Sequence, residues 1–220
     1  MSQNFIRTSE LTEIVPVFPL GGVILLPRAQ LPLNIFEPRY LNMIDDAMAG
    51  DRLICMVQTT GGTPVLPSLA TVGCLGRITS FAETSDGRYL ITLTGVCRAR
   101  LVAELAGAAP YRQARLDYSA YEDDLSADED AFDAPTRERL VAALGEYLRQ
   151  RELEIDWDST RAAPAEPLIN SLSIALPFDP AAKQLLLESP GVDARAEALI
   201  ALLLIDAADP GDDDEPPVMQ

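Results

Sequence analysis

Side chains that activate nucleophiles or bind metals are scarce in this sequence. Its 220 residues contain no histidine, a single lysine (Lys183) and three widely spaced cysteines (Cys55, Cys74 and Cys97). Ser-His and Cys-His activation are therefore unavailable, and no CxxC pair or histidine is present to build a zinc site. Asp and Glu remain as acid–base groups. We therefore predict no metal and no cofactor. We also predict three buried free thiols, because each cysteine lies in an apolar strand-like run.

The first candidate site is the sequence FEPRY at residues 36–40. It follows an alternating apolar strand pattern, and its proline is well placed to open a helix. At such a strand-to-helix corner, Phe36 and Tyr40 would offer apolar contact, while Glu37 and Arg39 orient a bound peptide. The alternative is structural: Glu37 stabilises the helix N-terminus, Arg39 forms an internal ion pair, and both aromatic rings belong to the core.

A second candidate is the pair Arg98 and Arg100. They flank Ala99 in a strand pattern, so both side chains are expected on one face of the sheet. If exposed together, they would hold a carboxylate; the alternative is that they pair with the protein's own acidic residues. Trp157 likewise has two interpretations, as a binding aromatic or as a packing residue between helices.

Short strands are predicted over most of the chain up to about residue 118. The segments with strand character are 14–18, 31–35, 52–58, 70–84, 88–96, 97–105 and 111–118. Ser85-Asp86-Gly87 marks a hairpin turn, and Gly95 marks a bulge or bend. One helix interrupts the strands between Pro38 and Gly50. Many short strands with one early helix favour a small closed or partly closed barrel, because closure removes exposed edges.

The second half of the chain changes to helical periodicity. Apolar residues recur at helical spacing from Pro135 onward, Asp179-Pro180 forms an N-cap followed by an N1 proline, and Asp193 is a further N-cap candidate. The fold class is therefore α+β. We predict a β-rich subdomain at residues 1–120, an acidic linker at 121–134, a helical subdomain at 135–208 and a disordered acidic tail at 209–220.

The net charge of −17 is concentrated in two segments. Residues 117–133 contain eight acidic side chains, residues 206–215 contain six, and neither segment contains a basic one. Without a Lys/Arg cluster, binding to nucleic-acid phosphates or to an anionic membrane surface is not expected. The polar first residues lack an apolar signal-peptide core, and the apolar run at 198–205 is too short to span a bilayer. These features predict a cytoplasmic protein.

Three blocks of the sequence, in this order, resemble the amino-terminal domain of Lon-type ATP-dependent proteases. The first is residues 15–48, in which FEPRY is closer still to free-standing LON-domain proteins. The second, residues 71–100, has a VG strand, a DG hairpin and a closing G-x-x-R-A-R strand, and the third is residues 175–188. The matching residues in the last two blocks are Val72-Gly73, Ile78, Asp86-Gly87, Gly95, Arg98-Ala99-Arg100, Pro177, Lys183, Gln184 and Glu188.

The resemblance implies a PUA-like six-stranded pseudo-β-barrel followed by a small α-helical bundle, acting as a recognition module. A full Lon protease would also need a GxxxxGK[ST] phosphate loop and a Ser-Lys dyad. These 220 residues contain no such loop, and Lys183 falls in a matching structural helix. We therefore predict a non-enzymatic protein that binds unfolded polypeptide or a partner protein without ATP, linked to proteolysis. Two alternatives stay open: an RNA-binding PUA-like module, and a carboxylate-dependent hydrolase.

Overall fold

Strands fill the first half of the chain and helices the second, in a computed structural model that describes residues 7–63, 66–126 and 134–208. The strands are β1 (Ile14–Pro19), β2 (Gln30–Ile35), β3 (Leu53–Gly62), β4 (Pro67–Glu83), β5 (Tyr89–Leu105) and β6 (Arg112–Asp117). The helices are α1 (Pro38–Ala49), α2 (Ala134–Gln150), α3 (Trp157–Ala162), α4 (Ala165–Ala175), α5 (Pro180–Glu188) and α6 (Val192–Ala208). Two 3-10 helices lie at Thr8–Glu10 and Ser119–Leu125.

The sheet closes on itself. Its strand order is β2-β5-β4-β3-β1-β6, and β6 also pairs with β5. β1 runs parallel to β3, and the other strand pairs are antiparallel. Strands β5, β4, β3, β1 and β6 therefore form a ring, with β2 attached to β5 beside it. The predicted six-stranded pseudo-barrel and the α+β class are confirmed.

Apolar side chains fill the barrel. Cys55, Leu75 and Cys97 lie directly opposite one another across β3, β4 and β5, so they share one face of the sheet. The same cluster includes Leu11, Val15, Val17, Leu53, Val57, Ala99, Ala114, Leu116 and Tyr118. All three cysteines are free and buried, as predicted. Burial raises the pKa of Cys55 and of Cys97 to about 12, so both remain neutral thiols at physiological pH.

Strand β5 corrects one prediction. The sequence predicts separate strands at 88–96 and 97–105, but the strand is continuous over Tyr89–Leu105. The predicted irregularity at Gly95 is present, because the register between β4 and β5 gains one residue there. A Cβ on Gly95 would lie 2.0 Å from the Leu26 carbonyl oxygen, so only glycine allows this approach. The bulge bends the strand without ending its pairing.

The chain divides into two compact units. The first is Met1–Glu129 with Ile174–Glu188, and the second is Asp130–Ser173 with Ser189–Gln220. Helix α5 thus belongs with the barrel, whereas the sequence predicts it in a helical subdomain at 135–208. The side-chain amide of Gln184 on α5 donates a hydrogen bond to the Val72 carbonyl oxygen on β4 at 3.0 Å. Residues 127–133 of the predicted linker and the predicted tail at 209–220 lie outside the described residues.

In the second unit, α2 and α6 pack together. Arg139 on α2 forms a bidentate ion pair with Glu197 on α6, with N–O distances of 2.7 and 2.8 Å. Trp157 begins α3, and a Cβ on Gly145 of α2 would lie 3.5 Å from its ring. The Trp157 ring therefore lies close against the backbone of α2 at Gly145, which supports the packing interpretation of Trp157. Across the described part of the chain, no helix is both long enough and apolar enough to cross a membrane.

The predicted helix signals hold at two of three positions. Pro38 opens α1, and the Asp179 carboxylate accepts a hydrogen bond from the Ala182 amide at 2.8 Å, at the start of α5. Asp193 is not an N-cap, because α6 already begins at Val192. Asp193 lies in the first turn, where its negative charge still interacts favourably with the helix dipole.

Candidate functional site

The strand-to-helix corner lies between β2 and α1. Phe36 is 62% exposed. Arg39 pairs with Glu37 at 2.8 Å, and its guanidinium lies 4.5 Å from the centre of the Tyr40 ring. Tyr40 is buried and packs edge-on against Phe18, and its burial raises the pKa of its hydroxyl. The corner therefore presents one exposed aromatic ring, Phe36, beside the charge-neutral Glu37–Arg39 pair, and the buried Tyr40 ring packs against the Arg39 guanidinium.

The register of β2 and β5 extends this corner into a patch. Asn34 and Ala82 both lie opposite Leu90, so these three side chains share a face of the sheet. Phe36 follows two residues after Asn34, and the Arg88 guanidinium lies 6.0 Å from its ring centre, which places Phe36 on that face. Leu90 is 46% exposed. We call Phe36, Ala82, Arg88 and Leu90 the outer patch.

The opposite face of the same strands is anchored to α1. Phe81 and Tyr89 pack edge-to-face, with ring centres 4.9 Å apart. The Tyr89 hydroxyl hydrogen-bonds with Asp45 on α1, and this bond raises the tyrosine pKa. The next carboxylate of α1, on Asp46, accepts a 2.6 Å hydrogen bond from the Tyr111 hydroxyl. Two tyrosines thus hold α1 in place, and the helix in turn fixes the corner.

Arg98 is an internal ion-pairing residue. Its side chain is 4% exposed and binds both carboxylate oxygens of Asp124, with a shortest N–O distance of 2.7 Å. It also donates to the Leu187 carbonyl oxygen on α5 at 3.3 Å, and its guanidinium lies 4.9 Å from the Tyr121 ring centre. Asp124 belongs to the 3-10 helix Ser119–Leu125, which takes up residues 121–125 of the predicted linker.

The six predicted site residues therefore fall into two groups. Phe36, Glu37, Arg39 and Tyr40 are brought together at the corner. Arg98 and Arg100 lie in the middle part of β5, roughly 25–35 Å along the strand from Leu90. Of these two, only Arg100 is exposed.

A surface cavity of about 220 Å³ is lined by two carboxylates that bear on the hydrolase alternative. Asp46 and Asp51 both line it. Asp46 accepts from the Tyr111 hydroxyl and Asp51 from the Thr12 hydroxyl at 3.2 Å, and both residues are exposed. Acid–base catalysis by two carboxylates needs environments that separate their protonation. Each of these two carboxylates accepts one hydroxyl hydrogen bond, so their contacts assign them no distinct catalytic roles.

The single lysine is structural. Lys183 is 3% exposed, and its ammonium donates a hydrogen bond to the Ile174 carbonyl oxygen in the last turn of α4. A cation is favourable at this end of the helix dipole. Burial lowers the pKa of the ammonium. Lys183 is therefore not placed at an open surface where it could activate a serine.

The comparison with known families decides the classification. The sequence matches the model of the ATP-dependent protease La (LON) substrate-binding domain over residues 14–204. The chain belongs to this family. Lon protease 2 of Myxococcus xanthus is 27% identical over 216 residues, which cover 91% of this LON-domain chain and 24% of that protease. The Lon protease of Escherichia coli K12 is 25% identical, covering 89% and 25%. The chain thus spans about a quarter of the length of these proteases.

Solved structures confirm the LON-domain fold. The Lon N-terminal domain protein from Xanthomonas campestris has a TM-score of 0.60 and 21% identity, covering 86% of this chain and 97% of that one. The N-terminal domain of the Mycobacterium avium complex Lon protease also has a TM-score of 0.60, with 18% identity and the same coverage. The family resemblance read from the three sequence blocks is confirmed.

Sequence reasoning missed two residues: Leu90 of the outer patch, and Asp124, the partner of Arg98. Leu90 falls in the predicted strand at 88–96, and the pairing with β2 places it opposite Asn34 on the exposed face of the sheet. Asp124 lies in an acidic run that predicts a linker. The sequence points to Asp124 only through the alternative that Arg98 and Arg100 pair with acidic residues of the protein, and this alternative does not say which acidic residue is the partner.

Proposed function

We propose that this LON domain binds exposed apolar segments of unfolded polypeptide, or of a partner protein, through the outer patch and the adjoining corner. The observation that carries the proposal is the exposure of Phe36 and Leu90 on one face of the sheet. Partly exposed aromatic and aliphatic side chains in a contiguous patch are typical of interaction sites. Membership of a family of substrate-binding domains supports the same role.

The expected affinity is modest. Burying a whole Phe or Leu side chain contributes about 1.5–3 kcal/mol. Phe36 and Leu90 are 62% and 46% exposed, so covering both contributes roughly 2 kcal/mol, or about thirtyfold in Kd. Such weak binding suits the transient capture of many different segments, because no single segment is held for long.

The charged side chains at the corner orient the bound polypeptide segment. Arg39 pairs with Glu37 and Arg88 pairs with Asp86 at 2.9 Å, so the surface carries balanced charge. Both arginines keep further donors for the carbonyl groups of a bound segment. An RNA-binding site would instead need arginines grouped without acidic partners. The polypeptide is therefore the ligand that these contacts favour.

The proposed role involves no chemistry and no ATP. Histidine is absent from the sequence, Lys183 is buried, and there is no GxxxxGK[ST] loop. We place the protein in the cytoplasm and link it to proteolysis, since its relatives are Lon proteases. The domain would supply recognition, while another component degrades or refolds the bound chain.

The test uses fluorescein-labelled β-casein, which is unfolded without denaturant, and measures its binding by fluorescence anisotropy. Phe36→Ser/Leu90→Ser is expected to weaken binding by about tenfold or more, and ATP is expected to change nothing. Val102→Ser is the matched control, because Val102 is 57% exposed on β5 away from the patch. Equal binding by the double variant and the wild type would reject the outer patch as the site.

A further inference from the structure

Strand β2 has one unpaired edge. Among residues 7–63, 66–126 and 134–208, β2 pairs only with β5. The Ala29 carbonyl oxygen accepts a hydrogen bond from the Gly95 amide at 2.9 Å, so odd-numbered positions direct their backbone groups toward β5. The backbone groups of Gln30, Pro32 and Asn34 therefore face away from the sheet. All three residues are exposed.

This edge is continuous with the outer patch. Asn34 lies opposite Leu90, and Phe36 follows at the end of the strand. A further strand beside β2 would extend the same face of the sheet by one strand. Its alternate side chains would then lie next to Phe36, within the reach of cross-strand neighbours.

Charge selects the occupant of the edge. No charged residue occurs at positions 30–36, so the edge itself attracts neither sign. The whole chain carries a net charge of −17, which opposes the approach of a second copy or of an acidic segment. A second copy would also bring its own Pro32, which lacks a backbone N–H. The complementary occupant is an apolar segment whose flanks are neutral or basic.

We propose that the bound segment of an unfolded polypeptide adds as an extended β-strand to the free edge of β2. Its backbone pairs with Gln30, Pro32 and Asn34, and its alternate apolar side chains cover Phe36. This inference rests on the proposed polypeptide binding and specifies how the segment is held. Backbone pairing accepts many sequences, because only the alternate side chains are selected.

Pro32 limits this pairing. The edge offers N–H donors at Gln30 and Asn34, but only a carbonyl acceptor at Pro32. A proline on an edge strand discourages stable pairing between copies, while two donors still allow a short added strand. Pro32 thus sets an upper limit on the strength of binding, in agreement with transient capture.

The experiment uses a short fluorescein-labelled peptide of alternating Phe and Thr with an arginine at each end. Two further versions carry backbone N-methyl groups, either on the Phe residues or on the Thr residues. In an added strand, the backbone N–H groups of either the Phe residues or the Thr residues face β2, and those of the other set point away from it. We expect one methylated version to lose about tenfold or more in affinity, while the other binds like the parent peptide.

Other outcomes separate the two proposals. Equal binding of all three peptides, still lost in Phe36→Ser/Leu90→Ser, would overturn strand addition and leave side-chain recognition intact. Equal loss in both methylated versions would also overturn it, because the loss would not depend on the edge. No binding of the parent peptide or of β-casein would reject the proposed function itself. Pro32→Thr restores a donor, so strand addition predicts a severalfold higher affinity for the parent peptide, and unchanged affinity would count against it.

Discussion

Arginine 98 illustrates how burial changes the meaning of a charged residue. As one member of an alternating pair, it suggests a carboxylate-binding surface. In the structure it is 4% exposed and joins β5, the 3-10 helix Ser119–Leu125 and α5 through Asp124 and the Leu187 carbonyl oxygen. A buried charge is tolerated only with such a set of partners. Arg98 therefore stabilises the fold, whereas Arg100 is exposed.

Asp124→Ala is expected to lower the free energy of unfolding by about 3–5 kcal/mol. The substitution leaves the Arg98 guanidinium buried without its carboxylate, and the Arg98 amide loses the acceptor that it reaches at 2.8 Å. Urea unfolding followed by circular dichroism measures the change. Glu37→Ala breaks the exposed pair with Arg39 and is expected to cost no more than about 1 kcal/mol.

The double variant Arg98→Met/Asp124→Ala completes this comparison. It removes the unpaired charge, so it is expected to recover part of the stability lost in Asp124→Ala. A loss in Asp124→Ala no larger than that in Glu37→Ala would contradict the assigned role of the pair.

At the scale of elements, signals within a few residues of one another were readable and long-range pairings were not. Pro38 and Asp179-Pro180 identify the starts of α1 and α5 because capping is a local property. The pairing of β6 with β5 and the grouping of α5 with the barrel depend on residues far apart in sequence. The same limit applies to the candidate site: the motif FEPRY predicts the corner, whereas Leu90 lies beside it only through the β2–β5 register.

The bulge in β5 requires glycine at position 95, and a substitution there tests this requirement. Gly95→Ala places a Cβ 2.0 Å from the backbone oxygen of Leu26, which cannot move without displacing the chain that leads into β2. We expect a loss of about 2 kcal/mol or more in the free energy of unfolding. The matched control is Gly107→Ala, whose Cβ would lie 3.4 Å from the flexible end of Gln113 and 4.0 Å from the Ala109 amide, both ordinary contacts. Equal midpoints for the two variants in urea unfolding would show that the Leu26 approach is not a constraint.

At the scale of the whole molecule, the net charge of −17 acts on any approaching polypeptide. The electrostatic potential produced by such a net charge changes association rates far more than it changes dissociation rates. Its range is the Debye length, about 10 Å at 0.1 M salt and about 3 Å at 1 M. The arginines of the outer patch and the adjoining corner are paired with Asp86 and Glu37, so the short-range contacts of this surface favour neither sign. Selection by charge is therefore expected before contact, during the approach.

Two peptides with the same apolar centre, one flanked by arginines and one by glutamates, test this selection. At low salt the arginine peptide is expected to associate about tenfold faster, and the two rates should converge near 1 M salt, while the dissociation rates stay similar. Stopped-flow fluorescence measures both rates. Replacing the run DDDE at residues 212–215 with NNNQ reduces the magnitude of the net charge, so it should narrow the difference at low salt and leave a neutral peptide unaffected. Equal association rates at low salt would mean that the field at the binding face does not follow the net charge.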